Sequence, residues 1–155
     1  MNNSFHQLVP SAELCQKIPD DAFQESALVH AIPYGVGGDG KLTPALGYEV
    51  FPRNMVVCDE SLTGKDYKDF DGSHGVVYCY SMIPAPTLQE IMDALYADAE
   101  GCCQIVNCFY DKEGWDVVAD YECHDGSGYG SSCVQRKDVK NPANAALKIW
   151  LGIDV

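Results

Sequence analysis

The chain has 155 residues, of which 46% are hydrophobic, and 23 acidic against 10 basic residues give it a formal net charge of −13. This length predicts a single domain, residues 1–155, with enough apolar surface to fold without disulfides or metals. The charge argues against binding of DNA or RNA, because affinity for phosphate needs clustered basic residues and the longest basic run is Arg136-Lys137.

The N-terminal residues predict no signal peptide, since no basic segment followed by an apolar run comes after Met1. No stretch of the sequence approaches the ~20 apolar residues of a membrane span. We therefore expect a cytoplasmic protein without membrane association. A short helix is expected next, with Ser11 as its N-cap and Pro19 as its stop.

The first half of the chain otherwise predicts strands and loops. Apolar runs rich in β-branched and aromatic residues predict strands at residues 27–34, 46–51, 55–58 and 75–82. The polar segment 61–73 is expected to be a surface loop.

A glycine-rich segment at 35–40 has the spacing G-x-G-x-x-G, which is typical of dinucleotide sites. Such a site also needs a helix whose N-terminus points at the pyrophosphate. Pro44 and Gly47 oppose a helix at that place. We therefore interpret the segment as a hairpin loop and predict no cofactor.

Two amphipathic helices dominate the second half. The first is expected over about 88–100, because Thr87 and Glu90 form a capping-box pattern and Gly101 marks an end. The second is expected over about 142–151, where Asn141 supplies the cap and Pro142 the first turn. Each helix carries an apolar stripe that needs a sheet to cover it.

The segment between these helices predicts a hairpin. Strands are expected at 103–110 and 115–123, joined by a turn at 111–114, and the second strand alternates apolar and polar residues. A glycine- and serine-rich loop at 124–132 and a short returning strand at 132–136 follow. The fold class is thus α+β, with an antiparallel sheet of about 4–6 strands, both main helices on one face and a short N-terminal helix.

A resemblance to a known group rests on three features of this second half. They are Pro-Ala-Pro-Thr-Leu at 84–88, a tryptophan-containing strand, and the Asn-Pro start of the helix at 141–142. Over residues 76–155 the chain resembles small proteins encoded in prophages and mobile elements of gut bacteria. That group has no assigned activity, so the resemblance implies a fold and a genetic context but no functional residue.

The eight cysteines could be reduced residues of the hydrophobic core, or some of them could serve catalysis or bind a metal. Because the sequence has no signal peptide and no Cys-x-x-Cys spacing, we expect most of the cysteines to be reduced and buried. A catalytic Cys123-His124 pair is unfavourable, because adjacent strand residues point to opposite faces. A metal site could draw its ligands from Cys102, Cys103, Cys108, Cys123, His124 and Cys133. Zinc sites usually contain a closely spaced pair of chelating residues, and this set has no such pair. We predict no catalytic and no metal residues.

The leading functional hypothesis is therefore a non-catalytic interaction or accessory protein of a mobile element, with a protein as its partner. A candidate binding loop contains His124, Asp125 and Tyr129, because an aromatic residue among glycines is typical of binding tips. The alternative is a small enzyme or metal-binding protein that uses the Cys and His positions around 102–133.

Overall fold

The computed structural model describes residues 9–98, 103–111, 114–125, 128–138 and 141–153. Within these ranges lie three α-helices and eight strands. The helices are α1 (Ala12–Cys15), α2 (Leu88–Asp98) and α3 (Pro142–Leu151). The strands are β1 (Leu28–Val36), β2 (Leu42–Pro44), β3 (Glu49–Pro52), β4 (Val56–Cys58), β5 (Val77–Pro84), β6 (Cys103–Asp111), β7 (Gly114–Asp125) and β8 (Gly128–Asp138).

The first sheet is centred on β1. Strands β2 and β3 pair with β1 in antiparallel fashion, and β5 pairs with it along the other side. The register of β1 against β5 shifts between Ile32 and Pro33. Proline has no N–H to give to a ladder, so an irregularity is expected where it lies within a central strand.

One strand pair in this sheet departs from the antiparallel arrangement. Strand β4 lies at the edge and runs parallel to β5, with Val56 opposite Val77. The connection from β3 to β4 is a 3₁₀ turn at Arg53–Met55, after which the chain continues in the direction of β3. Strands β3 and β5 both run antiparallel to β1, so they run in the same direction. Because β4 continues the direction of β3, it is parallel to β5.

The second sheet is the antiparallel meander β6-β7-β8. The expected loop at 124–132 is wrong, because β7 extends to Asp125 and β8 already begins at Gly128. Cross-strand pairing along the whole length of β7 outweighs the low strand preference of glycine and serine there.

The α+β class is confirmed, and the two main helices pack against the second sheet and against each other. The strands form two sheets, however, and the helices cover the one with three strands. Helix α3 has the expected bounds and ends at Gly152, whose φ of +71° lies in the left-handed region. The expected end of α2 at Gly101 lies outside the described residues.

The main core lies where the three helices meet β7. Its buried members come from every one of these elements: Leu14, Cys15, Ile18, Ile91, Leu95, Val117, Ala143, Ala145, Ala146, Leu147 and Ile149. Trp150 packs at its border and meets Phe23 edge to face, with ring centroids 4.8 Å apart. Smaller apolar clusters cover the two faces of the first sheet.

Asparagine side chains attach the N-terminal segment to α3. Asn141 accepts from the N–H of Ala143 at 2.9 Å and donates to the carbonyl of Val9 at 2.7 Å. Asn144 accepts from the N–H of Ser11 at 2.8 Å. The cap and the first turn of the last helix therefore also bind the first described residues of the chain.

The buried thiol of Cys15 makes folding stability dependent on pH. Burial raises the pKa of Cys15 from 9.0 to about 12. Above about pH 9 the unfolded chain loses this proton while the folded chain keeps it, so the free energy of unfolding falls as pH rises toward 12. We expect Cys15→Ala to make the fall in the free energy of unfolding with pH less steep by about 1.4 kcal/mol per pH unit between about pH 9 and 12. Urea unfolding at several alkaline pH values measures this dependence. Equal slopes for both proteins would contradict the burial of this thiol.

Candidate functional site

The glycine-rich segment forms the hairpin turn between β1 and β2, as predicted. The N–H of Gly37 donates to the carbonyl of Lys41 at 2.9 Å, and that of Gly40 donates to Gly37 at 3.0 Å. Gly40 has a φ of +77°, which favours glycine because it has no Cβ. The Asp39 carboxylate accepts from the N–H of Lys41 at 3.1 Å. The turn leads into a strand, so it provides no helix N-terminus for a pyrophosphate.

The polar segment after β4 is held against this hairpin by backbone hydrogen bonds. Leu42 donates to Lys65 at 2.8 Å, Gly64 donates to Leu42 at 2.9 Å, and Tyr67 donates to Gly40 at 2.9 Å. Leu62 is buried beneath the segment, whereas most of its neighbours are exposed. The expected surface loop is exposed along most of its length, and these hydrogen bonds attach it to the edge of the first sheet.

The start of the same segment is anchored by side chains. The Tyr34 hydroxyl donates to the carbonyl of Asp59 at 2.8 Å and lies 3.0 Å from the Thr63 hydroxyl. Asp59 accepts from the hydroxyl and the N–H of Ser61, at 2.6 and 3.0 Å. These hydrogen bonds, the side-chain one first, lower the pKa of Asp59. The same two hydrogen bonds cap the turn at Glu60–Leu62.

A cleft of about 350 Å³ lies between the hairpin and this segment. Its lining residues are Val36, Asp39, Gly40, Asp66, Tyr67, Lys68 and Asp69. The lining thus contains three Asp residues and one Lys, and Tyr67 and Val36 are 55% and 53% exposed. The cleft, which we call the acidic cleft, combines negative charge with an exposed aromatic ring.

The chemistry of the acidic cleft favours recognition of a cation. Carboxylates accept charge-assisted hydrogen bonds from Lys and Arg, and the face of a tyrosine ring attracts the same groups. Among the described residues that line it there is no Cys, His or Ser. Across the described ranges, no group of three or more His, Cys, Asp or Glu side chains could hold a metal ion.

A second cavity, of about 200 Å³, lies between α1 and α3 and is lined by Ser11, Glu13, Leu14, Lys17, Asp138, Asn144 and Lys148. Three of its polar side chains contact one another. The Asp138 carboxylate lies 3.7 Å from the Lys148 amine and accepts from Asn144 at 3.4 Å. These contacts connect the end of β8 to α3, and Asn144 also accepts from the N–H of Ser11, so we assign the cavity a structural role.

The sequence-predicted binding residues lie at the far end of the β7-β8 hairpin. The register places His124 opposite Tyr129, and Asp125 opposite Gly128. Their side chains lie outside the described part of the structure. The backbone therefore brings two of the three residues together, in a strand pair and not in a loop.

The Cys and His set of the enzyme or metal alternative belongs to the same sheet. Cys102 lies outside the described residues, as do the side chains of the other members. Within the described register, none of the strand cysteines Cys103, Cys108, Cys123 and Cys133 is placed opposite another cysteine. Elsewhere, Cys15 and Cys79 are buried and free, whereas Cys58 is free and exposed.

The acidic cleft was missed at the level of sequence. Asp39 belongs to the glycine-rich segment, whereas Asp66 and Asp69 belong to a polar run that predicts only a loop. The signal that could have found them is the density of aspartates around Tyr67. The pairing that brings this run beside Gly40 connects residues far apart in sequence and has no local pattern.

Comparisons of the chain with protein-family models, curated proteins and solved structures found no match. Among the described residues, no helix has the length and apolar character needed to cross a membrane.

Proposed function

We propose that this chain is a non-catalytic interaction protein that binds a basic segment of a protein partner in the acidic cleft. The observation that carries the proposal is that the exposed Tyr67 lines the same cleft as Asp39, Asp66 and Asp69. A Lys or Arg side chain fits both features, since its charge pairs with a carboxylate and its head group stacks on the ring.

The charge of the whole chain supports the same kind of partner. A net charge of −13 attracts a basic protein over a distance of about one Debye length and accelerates encounter. Charge complementarity then restricts the choice of partner. The same field repels phosphate, so we expect neither DNA nor RNA to bind.

The biological setting is part of the proposal. The resemblance of residues 76–155 to mobile-element proteins supports an accessory role, in which a small protein acts by occupying a surface of another protein. A cytoplasmic location agrees with the free cysteines Cys15, Cys58 and Cys79. The enzyme or metal alternative has no observation in its favour among the described residues.

Binding of a labelled peptide tests the proposal. The probe is a fluorescent decapeptide of alternating Arg and Gly, and fluorescence anisotropy is measured at low ionic strength. We expect the double variant Asp66→Asn, Asp69→Asn to bind the peptide at least about tenfold more weakly than the unmodified protein. Tyr67→Ala should weaken the affinity for the peptide several-fold. An increase in salt should weaken binding by the unmodified protein.

The matched control is Asp20→Asn, Asp21→Asn, which removes the same charge from two exposed positions elsewhere. We expect it to change the dissociation constant by less than about twofold, because exposed distant charges are screened. Equal losses in the two double variants would show that only net charge matters and would contradict a site. Saturable binding of a mixed-sequence duplex or single strand in a gel shift would contradict the proposal as well.

A further inference from the structure

Two cysteines face each other across the parallel pair at the edge of the first sheet. Cys58, the last residue of β4, is the direct register partner of Cys79 in β5. Register partners in neighbouring strands project their side chains to the same face. The two thiols are close enough for Cys58 to influence the pKa of Cys79, and both cysteines are free.

The two thiols differ in their access to solvent. Cys58 is exposed on an edge strand of three residues, and its Sγ lies 3.6 Å from the carbonyl oxygen of Tyr80. Cys79 is fully buried with Val29 and Ala31. Burial, and then the neighbouring Cys58, raise the pKa of Cys79 to about 12. A reagent in solution can therefore reach Cys58 first, while Cys79 stays protonated beneath it.

The strand geometry suits a bond between these residues. Disulfides form when the Cα atoms are about 4.4–6.8 Å apart, and neighbouring strands lie about 4.7–4.9 Å apart. Register partners therefore fall within the Cα separation that a disulfide needs. The N–H of Asp59 donates to the carbonyl of Cys79 at 2.9 Å, so hydrogen bonds hold the two strands together at this point.

We propose that Cys58 and Cys79 form a thiol–disulfide exchange site for low-molecular-weight organic disulfides. In the first step the Cys58 thiolate attacks one sulfur of the external disulfide. A mixed disulfide forms on Cys58, the external S–S bond breaks, and one thiolate leaves and takes up a proton from solvent, which balances the proton that Cys58 lost to solvent on ionising.

In the second step Cys79 loses its proton to solvent and attacks the Cys58 sulfur. The Cys58–Cys79 bond forms, the mixed disulfide breaks, and the second external thiolate leaves and takes up a proton. Two protein thiols are oxidised and one external disulfide is reduced to two thiols. The second step is slow because Cys79 is buried and protonated, so the mixed disulfide accumulates first.

Peptide mapping of the full-length protein tests this order. Reduced protein is incubated with glutathione disulfide, samples are quenched with acid at intervals, and free thiols are alkylated before tryptic digestion and mass spectrometry. We expect a glutathione adduct on the 54–65 peptide first, then a cross-link between it and the 69–112 peptide. Fragmentation should assign the cross-link to Cys79, and a rise in pH should accelerate its formation.

Variants separate the two roles. We expect Cys79→Ala to accumulate the Cys58 adduct without conversion to a cross-link, and Cys58→Ala to leave Cys79 unmodified. Cys15→Ala is the matched control for loss of a buried thiol and should leave both species unchanged. The proposal is overturned if the peptide map of the wild-type protein shows Cys58 unmodified, or if the Cys58 adduct is never converted to the Cys58–Cys79 cross-link. This test uses only the wild-type protein, so it does not depend on the folding of any variant.

Discussion

Replacement of Leu147 by alanine is expected to lower the free energy of unfolding by about 2–5 kcal/mol. Leu147 is fully buried in the main core, in the same cluster as Ile91 of α2 and Val117 of β7. Alanine removes the apolar contacts and leaves a cavity that neighbours on three different elements cannot fill without moving. Urea unfolding followed by far-UV circular dichroism measures the change. The loss is a large share of a typical ~5–15 kcal/mol total stability.

Leu147→Met is the control for this substitution, because it keeps the side-chain volume and should cost less than about 1.5 kcal/mol. A Leu147→Ala protein with an unchanged unfolding midpoint would show that α3 does not pack on α2 and the second sheet as described.

Replacement of Glu90 by alanine is expected to lower the free energy of unfolding by about 2 kcal/mol. One carboxylate oxygen accepts from the N–H of Thr87 at 2.7 Å, and the other accepts from the N–H of Ala27 at 2.9 Å. Alanine removes both charge-assisted hydrogen bonds, so the start of α2 loses one half of its capping box and its connection to the residue before β1. The Thr87 hydroxyl can still accept from the backbone N–H of residue 90. Denaturant unfolding again measures the change.

Asp93→Ala provides a control on the same helix. Asp93 is exposed, and its carboxylate accepts from the side chain of Gln89 at 2.9 Å. We expect a change within about 0.5 kcal/mol, as is usual for surface substitutions. Glu90→Gln should lower the free energy of unfolding by an amount between those of Glu90→Ala and Asp93→Ala, because its amide keeps one acceptor oxygen. If Glu90→Ala and Asp93→Ala cost the same, the connection from α2 to Ala27 does not contribute to stability.

The helix caps show where sequence reasoning works well. Ser11 accepts from the N–H of Leu14 at 3.3 Å, Thr87 accepts from that of Glu90 at 3.2 Å, and Asn141 caps α3. In each case donor and acceptor lie two or three residues apart. The geometry of one helical turn brings them together, so the residue types alone predict the bond.

The second bonds of the same residues could not be predicted. The other oxygen of Glu90 reaches Ala27, and the amide of Asn141 reaches Val9, across most of the chain. The capping pattern is complete without these partners, so it carries no information about them. The cleft aspartates and the Cys58–Cys79 pair are likewise products of register between distant segments.

By itself, the sequence determined the positions and apolar faces of the helices, most strands, the hairpin at Gly37–Gly40 and the α+β class. Hydrophobic period, caps and turn residues act within a few positions, so they can be read along the chain. Only the tertiary structure decided the division into two sheets, the parallel direction of β4, the extension of β7 and β8, and the acidic cleft. Strand pairing is stabilised by contacts between residues distant in sequence, and the partner of a strand is selected by the packing of the whole fold.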